Sequence, residues 1–519
     1  MNYKQIEELI AEKMQIATVP GLAIVLFNKH DVLFEKGFGY TSTEETALNV
    51  TPHTLFSIGS ISKVITGTLI MKLVEKGILD LDRPIRAYVP WFTLHNEQET
   101  EKVTLRRLLS HTVGLPHVFE AFGSQDSDGL NKLVMSVPNH PLLFPPGESW
   151  SYSDLGVDTA GYVAEAVTGI SFNELVQEFV FDPISLERST YDLSKAVTYP
   201  LALPHSKKED GSLGVAHRFP ANSAHNPSSF AMASMSELAK IGQMFLKSGG
   251  DFLNENSVRE MMTLHGDYFM PNQSGYGLTL ELDFYKGIRR AWHDGALQSL
   301  GAWMFIAPDE DFGVVMACNK REGFWGHAEE IIEMIFNLRF PNETEKVYPQ
   351  NYKGKTIPLN RCTGTYVGAW TGYVSISQPA GGLVLNMNDH ESVLTPYGKD
   401  RFQGTSSEGE VLSVGFQNKE DSEIKFIMVN GIPCEKIAEV PEYTHPVDTY
   451  SSYIGSFIKN NDRLEFRVED DKLYCYDQYD DTTLPCKVTG DNTVVAGSIL
   501  VEFLQDSIRI NKGSILTRV

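Results

Sequence analysis

The sequence predicts an α/β domain, in which an antiparallel sheet packs against a block of helices, followed by all-β barrel domains. Strand-like apolar runs occur at both ends of the first 340 residues, with a long helical stretch between them, which favours one domain over 1–340. From residue 358 the chain changes to short alternating runs divided by Gly, Asp and Asn, a pattern typical of antiparallel strands. A length of 519 residues allows about three domains of this kind.

Two predicted hairpins bracket the first domain. Gly21–Phe27 and Val32–Phe38 are apolar runs separated by polar residues, and Gly301–Ile306 and Gly313–Cys318 are separated by a turn. An amphipathic helix over 3–14 precedes the first hairpin. We expect both hairpins to belong to one sheet, because the helices between them need a sheet face on which to bury their apolar sides.

The residues between the hairpins supply the helices. The apolar period predicts a helix over 61–76 that ends at Gly77. Ser171 and Ser234 are each followed three residues later by a glutamate, which is the pattern of a capping box. A helix is therefore expected to begin at each of these serines.

The tail predicts two small antiparallel barrels after a linker over 341–357. The linker contains Pro341 and Pro349 and has no apolar period. The barrels are expected over 358–438 and 446–519, each long enough for about seven or eight strands. They open on the similar phrases Gly-Thr-Tyr-Val and Gly-Ser-Phe-Ile, which a weak duplication explains; one larger sandwich is the alternative.

Composition excludes several functions. The chain has 44 Lys and Arg against 67 Asp and Glu, a net charge of −23, which repels nucleic acid and anionic lipid. No stretch approaches the roughly 18 apolar residues of a membrane span. The amino terminus lacks the apolar centre of a secretory signal, and the five cysteines include no Cys-x-x-Cys pair. We therefore expect a cytoplasmic protein with reduced thiols.

Ser60-Ile-Ser-Lys63 is the first candidate for chemistry. Ser60 stands at the start of the predicted helix 61–76, where unpaired N–H groups and the helix dipole stabilise an oxyanion. Lys63 follows one turn later on the same face. By itself, the tetrapeptide is better explained as a helix cap beside a solvated lysine.

Two further phrases strengthen the chemical interpretation. Tyr152-Ser-Asp154 lies in a loop just before a predicted helix, and His293-Asp-Gly295 leads into the second hairpin. Taken singly, Tyr152 fits a packed aromatic residue and His293 fits a core histidine. Their order and spacing relative to Ser60 are what favour a catalytic interpretation.

These motifs resemble those of the serine β-lactamase and penicillin-binding protein family, in its class C-like branch. The resemblance covers about residues 1–340 and includes Val19-Pro-Gly-Leu-Ala23, the run from Leu108 to Pro116 and Tyr276-Gly-Leu278, all in family order. It implies a catalytic domain that forms an acyl-enzyme.

The resemblance also implies a role for each motif residue. Ser60 would be the nucleophile and Lys63 its proton acceptor, while Tyr152 would carry the proton to the leaving group. His293, often a lysine in relatives, would hydrogen-bond to Tyr152 and hold it in place. The backbone N–H groups of Ser60 and Ala296 would form the oxyanion hole.

Two departures from the family pattern concern the substrate. Asp154 stands where asparagine is often found, and Asp294 stands where a small or hydroxylic residue is common. With Gly295, they are the expected substrate-binding positions, and their charge favours a substrate with a free amine over an anionic β-lactam. The alternative is that one aspartate points away from the site, since strand neighbours alternate.

The tail is similar to that of D-stereospecific aminopeptidases of the same family, in which lipocalin-like barrels help to enclose the site. The acidic loop 477–481 of the second barrel is then expected over the cleft, with Asp480 or Asp481 opposite a substrate ammonium. A solvated turn is the alternative interpretation.

The resemblance therefore implies a serine hydrolase, most similar to D-aminopeptidases, that acts on small amine-bearing amides or short peptides. Alternatives are a β-lactamase-like carboxylesterase, a penicillin-binding DD-peptidase and, from another class, a ligand-binding protein with a vestigial hydrolase domain. His111 and His117 lack an acidic partner at ligand spacing, so we expect no metal, and no phosphate-binding loop or cofactor is indicated. Neither nucleic acid nor a membrane is an expected partner, and homo-oligomer formation is left open.

Overall fold

A computed structural model describes the chain in segments separated by short gaps. They are residues 1–208, 212–343, 352–368, 371–379, 382–387, 390–406, 409, 411–417, 423–437, 453–459, 462–470, 472–477, 482–490, 492–513 and 515–519.

The first domain is built around an eight-stranded antiparallel sheet, with two small two-stranded sheets beside it. The strands are β1 Gly21–Phe27, β2 Val32–Gly39, β3 Leu55–Ser57, β4 His205–Lys207, β5 Leu213–Val215, β6 Met232–Ser234, β7 Gly266–Asp267, β8 Gly275–Tyr276, β9 Glu281–Tyr285, β10 Ile288–Leu297, β11 Leu300–Ala307 and β12 Phe312–Cys318. The large sheet has the order β2-β1-β12-β11-β10-β9-β8-β7, and β3 pairs with β6 and β4 with β5. Both predicted hairpins lie in this sheet, where β1 pairs with β12. The predicted α/β class is confirmed.

Helices cover both faces of the sheet. They are α1 Tyr3–Ile16, α2 Ser62–Glu75, α3 Leu105–Leu109, α4 Gly129–Met135, α5 Asp154–Thr168, α6 Phe172–Val176, α7 Leu193–Ala196, α8 Asn226–Ser229, α9 Met235–Leu246, α10 Glu255–Met261, α11 Trp325–Arg339 and, before the barrels, α12 Leu359–Cys362. The alternating side chains of β1 show the division of the core. Ala23 and Val25 pack into the helical block, whereas Leu22 and Ile24 pack towards α1 and α11. Burial on both faces explains why β1 is a continuous apolar run.

The predicted helix starts and stop agree with the structure. Helix α2 ends at Glu75, and Gly77 follows with a positive φ of 69°. Ser171 forms a complete capping box with Glu174. Ser234 caps α9 through the N–H of Glu237, but the Glu237 carboxylate instead accepts bonds from the backbone of 188–189. The second capping box is therefore only half formed, because a tertiary contact takes its glutamate.

The tail forms two closed antiparallel barrels of eight strands, so the single sandwich is wrong. Barrel 1 consists of β13 Gly364–Gly368, β14 Gly372–Ser377, β15 Leu383–Met387, β16 His390–Pro396, β17 Arg401–Thr405, β18 Val411–Phe416, β19 Phe426–Val429 and β20 Ile432–Ile437. Barrel 2 consists of β21 Gly455–Lys459, β22 Asp462–Glu469, β23 Lys472–Asp477, β24 Thr482–Gly490, β25 Thr493–Ala496, β26 Ile499–Phe503, β27 Ser507–Ile510 and β28 Ile515–Arg518. Buried apolar side chains fill both interiors.

Some barrel strands escape the sequence pattern. Strand β16 buries Ser392 and Leu394 and exposes their neighbours. Only one residue of its buried face is apolar, so the sequence shows no alternating apolar pattern there. Strand β20 contains Pro433, which ordinarily argues against a strand. The predicted linker over 341–357 includes residues 344–351, which lie outside the described residues. The exact domain limits stay a prediction.

Two further observations concern the chain as a whole. In the described residues, no helix combines the length and apolar character needed to cross a bilayer. All five cysteines are free thiols, and four of them are buried.

Candidate active site

Ser60 and Lys63 meet where the first turn of α2 begins. A 3-10 turn, Gly59–Ile61, leads into α2, and Ser60 lies within this turn. Lys63 Nζ lies 3.2 Å from Ser60 Oγ. The structure therefore brings the two residues of the first motif together as the spacing predicts.

Lys63 is fully buried and is surrounded by acceptors. Its side chain has 0% exposure, and its Nζ lies 2.5 Å from Asp154 Oδ1. Nζ also donates to the carbonyl of Ser228 at 3.0 Å. The lysine charge is thus balanced by a carboxylate at the start of α5 and by a backbone carbonyl of α8.

Tyr152 is held above this pair by the loop that precedes α5. Its hydroxyl hydrogen-bonds to Ser60, and burial, followed by the charge of Asp154, raises the pKa of the phenol well above its usual value. The Lys63 Nζ lies 4.8 Å from the centroid of the Tyr152 ring. Tyr152 therefore stays a neutral hydroxyl in contact with Ser60.

His111 holds the loop that carries Tyr152 through two hydrogen bonds. Its carbonyl accepts from the N–H of Ser151, and its Nδ1 accepts from the N–H of Ser153 at 3.2 Å. The rings of His111 and Tyr152 lie 4.6 Å apart. Burial, followed by the charge of Lys63, lowers the pKa of His111 well below its usual value, so it remains neutral. The expectation that His111 is structural agrees with these contacts.

His293 lies on β10 and contacts a tyrosine other than the one we expected. Its Nε2 is 3.0 Å from the hydroxyl of Tyr276, and its Nδ1 is 2.5 Å from the carbonyl of Asp294. Burial and the Lys63 charge lower the pKa of His293 to about 3, so the imidazole is neutral and its Nδ1–H donates to the carbonyl. The expected bond from His293 to Tyr152 is therefore replaced by one from Tyr276, and the two rings only lie near each other, 6.2 Å apart.

Ser60 and Ala296 line one cavity, and two glycines let their chain segments approach each other closely. A Cβ at Gly295 would lie 1.9 Å from the carbonyl oxygen of Ile58, and a Cβ at Gly59 would lie 2.6 Å from the Ala296 nitrogen. Gly59 also has a positive φ of 52°. Gly295, expected at the substrate, thus acts as a close-packed backbone position beside the predicted oxyanion hole.

The cavity at Ser60 has a volume of about 660 Å³ and is lined by residues of the first domain and of barrel 1. Its wall includes Ser60, Tyr152, Asp294, Arg321, Trp325 and, from barrel 1, Ile432 and Pro433. The acid that overlooks the cavity is Asp294, whose side chain is 35% exposed. Burial and the charge of Glu329 raise the pKa of Asp294 to about 6, so it is mostly ionised at neutral pH.

Barrel 1 supports this wall through Met428. Along β19, Ile427 and Val429 point into the barrel, and Met428 points outward yet has 0% exposure. It packs against Trp150 and Tyr276 in an aromatic cluster that also contacts Tyr152. Barrel 1 therefore reaches the site.

The two aspartates of the motifs have different roles in the structure. Both aspartates line the cavity, but Asp154 is paired with Lys63 and its side chain is only 4% exposed. Its observed partner is therefore the lysine, and its expected contact with substrate stays a prediction. Asp480 and Asp481 lie outside the described residues, and their expected place over the cleft stays a prediction.

Sequence reasoning missed several residues that build the site. Tyr276 and His111 fall inside phrases that matched the family, so a signal was present although their contacts were not predictable. Arg321 and the barrel residues Ile432 and Pro433 carry no local signal. They reach the cavity because β12 ends, and β20 begins, beside it.

The site residues of the first domain lie in a region that matches a known protein family. The sequence pattern that defines the beta-lactamase family matches residues 6–334. A relative, "Protein flp" of Staphylococcus aureus, is 23% identical over 322 residues, which are 61% of this chain and 63% of the relative. The match therefore spans less than two thirds of that protein's length.

Two solved structures have the same fold. A structure of SurE with D-Leu aligns with a TM-score of 0.64 at 21% identity and covers 84% of this chain and 99% of that one. The octameric penicillin-binding protein homologue from Pyrococcus abyssi aligns with a TM-score of 0.58 at 23% identity and covers 84% of this chain and 100% of that one. Both alignments extend beyond the region that the family pattern matches.

Met428→Ala tests whether barrel 1 supports the site. Truncation should cost about 2–5 kcal/mol of stability and lower kcat/KM about tenfold, because Tyr276 and Trp150 lose the side chain that packs behind them. Val429→Ala is the matched control, since Val429 lies on the same strand but points into the barrel. It should lower stability and leave kcat/KM unchanged. Equal kinetic effects of both variants would contradict a specific role for Met428.

Proposed function

The chain belongs to the beta-lactamase family and is a serine hydrolase of that family, and from this premise we propose that it cleaves amide or peptide bonds of small substrates that carry a free amine. Ser60 is the proposed nucleophile, with Lys63 and Tyr152 as its proton-transfer partners. The observation that carries the substrate class is Asp294, a partly exposed carboxylate in the same cavity as Ser60.

The contacts support a two-step mechanism. The Ser60 oxygen attacks the substrate carbonyl while its proton passes to Lys63, which lies 3.2 Å away. The N–H groups of Ser60 and Ala296 stabilise the resulting oxyanion. Tyr152 gives its proton to the leaving amine and recovers one from Lys63; it then helps to activate the water that releases the acyl group.

The residues behind the site support these roles by fixing orientation. Tyr276 donates to the neutral His293, and the two rings pack beside Tyr152. His111 holds the backbone on both sides of Tyr152. Each group in contact with Ser60 is thereby held by a second hydrogen bond or packed ring.

Charge in the cavity favours an ammonium near the scissile bond. Asp294 is two residues before Ala296 on β10, so an amine of the substrate would lie close to the oxyanion hole. A structural relative carries D-Leu, an amino acid of D configuration. We therefore propose a D-aminopeptidase-like specificity for small amides and short peptides.

One observation favours a second candidate. Arg321 lines the same cavity and could pair with a substrate carboxylate, as a β-lactam or a D-alanine-terminated peptide would require. Carboxylesterase activity needs neither charge. A ligand-binding function located in the barrels finds less support, since apolar side chains fill both interiors.

We propose that the protein acts in the cytoplasm, where its five free thiols would stay reduced. One relative of the same fold is octameric, which supports homo-oligomer formation as a proposal for this chain.

Ser60→Ala should abolish turnover of every substrate, and Lys63→Ala and Tyr152→Phe should each lower kcat by about 10²-fold or more. Labelling with a fluorophosphonate, followed by peptide mass analysis, should mark Ser60 in the native chain and nothing in Ser60→Ala. Thermal unfolding checks that each variant is folded. Retained turnover in folded Ser60→Ala would refute the acyl-enzyme mechanism.

Asp294→Asn tests the substrate class. With D-alanine p-nitroanilide, the substitution should raise KM about tenfold, equivalent to about 1.4 kcal/mol, because it removes the charge that attracts the amine. In the native chain KM should also rise as pH falls from 7 to 5, since protonation of a carboxyl with a pKa of about 6 removes the same charge.

The control substrate is p-nitrophenyl butyrate, which has no amine. Its KM should be the same in both proteins and show no such pH dependence. If Asp294→Asn changes the KM of both substrates equally, the cavity charge does not select amines.

A further inference from the structure

The three partners of Lys63 show which protonation state the site holds at rest. Nζ contacts Asp154 Oδ1 at 2.5 Å, the Ser228 carbonyl at 3.0 Å and Ser60 Oγ at 3.2 Å. An ammonium has three N–H donors and no acceptor, and here it meets three acceptors. Lys63 therefore donates to Ser60 at rest and has no lone pair with which to take the serine proton.

Acylation therefore requires Lys63 to lose a proton before or as it gains one. Of its three partners, a carbonyl and a serine hydroxyl are weak proton acceptors, whereas the carboxylate of Asp154 is a stronger one. Asp154 also makes the shortest contact with Nζ. Both side chains are buried, so water is a poor alternative acceptor.

We propose that Asp154 is a positioning residue that acts through Lys63 as a store for one proton during acylation. The proposal rests on the acyl-enzyme function proposed above. A proton moves from Lys63 Nζ to Asp154 Oδ1, and the freed lone pair of Nζ takes the proton of Ser60 as Oγ bonds to the substrate carbonyl carbon. The leaving amine then takes a proton from Tyr152, Lys63 reprotonates Tyr152, and Asp154 returns its proton to Lys63.

The surroundings of Asp154 keep its carboxylate unprotonated at rest. It is the first residue of α5, where the helix dipole favours a negative charge, and Ser229 Oγ lies 3.4 Å from its Oδ2. Burial alone would raise the pKa of Asp154, but the charge of Lys63 outweighs it and lowers the pKa to about 2. The store is thus empty between turnovers.

Other titratable groups face this pair from every side. The histidines are His111, His117, His225 and His293. Burial lowers the pKa of His111, His117 and His293. His225 is paired with Asp158 at 2.6 Å. The remaining groups are Tyr152 and Tyr276, both with a raised pKa, and Asp158 and Asp294. A substitution of Asp154 leaves all these groups in place, so the native chain and the variant share their contribution to the pH profile.

Asp154→Asn is the test, because asparagine keeps the shape and cannot store a proton. We would measure kcat/KM for p-nitrophenyl butyrate from pH 5 to pH 9.5, since this substrate has neither an amine for Asp294 nor a leaving group that needs a proton. Lys63 in the variant must first lose its proton to solvent. The ratio of variant to native kcat/KM should therefore fall about tenfold per pH unit on the acid side, by about 10²-fold or more across the range, and recover at alkaline pH.

Asp154→Glu is the matched control that keeps a carboxylate. It should restore the pH profile of the native chain, whatever its absolute rate. The rate of Ser60 labelling by a fluorophosphonate, measured over the same pH range, is a second readout that should follow the same pattern in all three proteins.

Three outcomes would overturn the proposal. They are an Asp154→Asn profile that matches the native one, a loss of the same factor at every pH, and a loss that alkaline pH does not relieve in folded protein. Turnover that survives Ser60→Ala would instead refute the proposed function itself. If Ser60→Ala is inactive and any of the three outcomes occurs, only the role of Asp154 fails.

Discussion

The buried charge of Lys63 is the constraint around which the site is organised. Moving an ammonium out of water costs several kcal/mol, which only close partners of opposite charge or polarity can offset. Those partners come from separate elements: Asp154 begins α5, and Ser228 belongs to α8. The helical block must therefore assemble around α2 before the lysine is stable.

A second layer holds those partners in place. Asp158, one turn after Asp154 on α5, pairs with His225 at 2.6 Å and accepts the N–H of Ser228 at 3.0 Å. The carbonyl that reaches Lys63 is thereby fixed from behind. Like Lys63 and Asp154, this pair is almost fully buried, so the centre of the domain carries two adjacent charged or polar pairs where apolar packing would be expected.

The walls of the cavity do not belong to one domain. The aromatic cluster behind Tyr152 is completed by Met428 of barrel 1, and Ile432 and Pro433 of the same barrel face Ser60 across the cavity. Barrel 2 also approaches the site, because a Cβ at Gly513 would lie 2.1 Å from the carbonyl of His117. The size of the cavity is thus set by how the barrels pack on the first domain, while its charge is set by Asp294 and Arg321.

The sequence by itself determined the local structure and the chemistry of each motif. The α/β class, the two hairpins, the helix that starts after Ser60, and the two barrels follow from periodicity and caps, which are properties of neighbouring residues. The order of the motifs also predicts that Ser60, Lys63, Tyr152 and His293 lie together, and the structure places them close to one another, while their catalytic roles stay a prediction. Only the tertiary structure decided that Asp154 serves Lys63, that Tyr276 bonds His293, and that the first barrel reaches the cavity. Those contacts join residues from 17 to hundreds of positions apart, and they depend on how helices and domains pack, which no local pattern encodes.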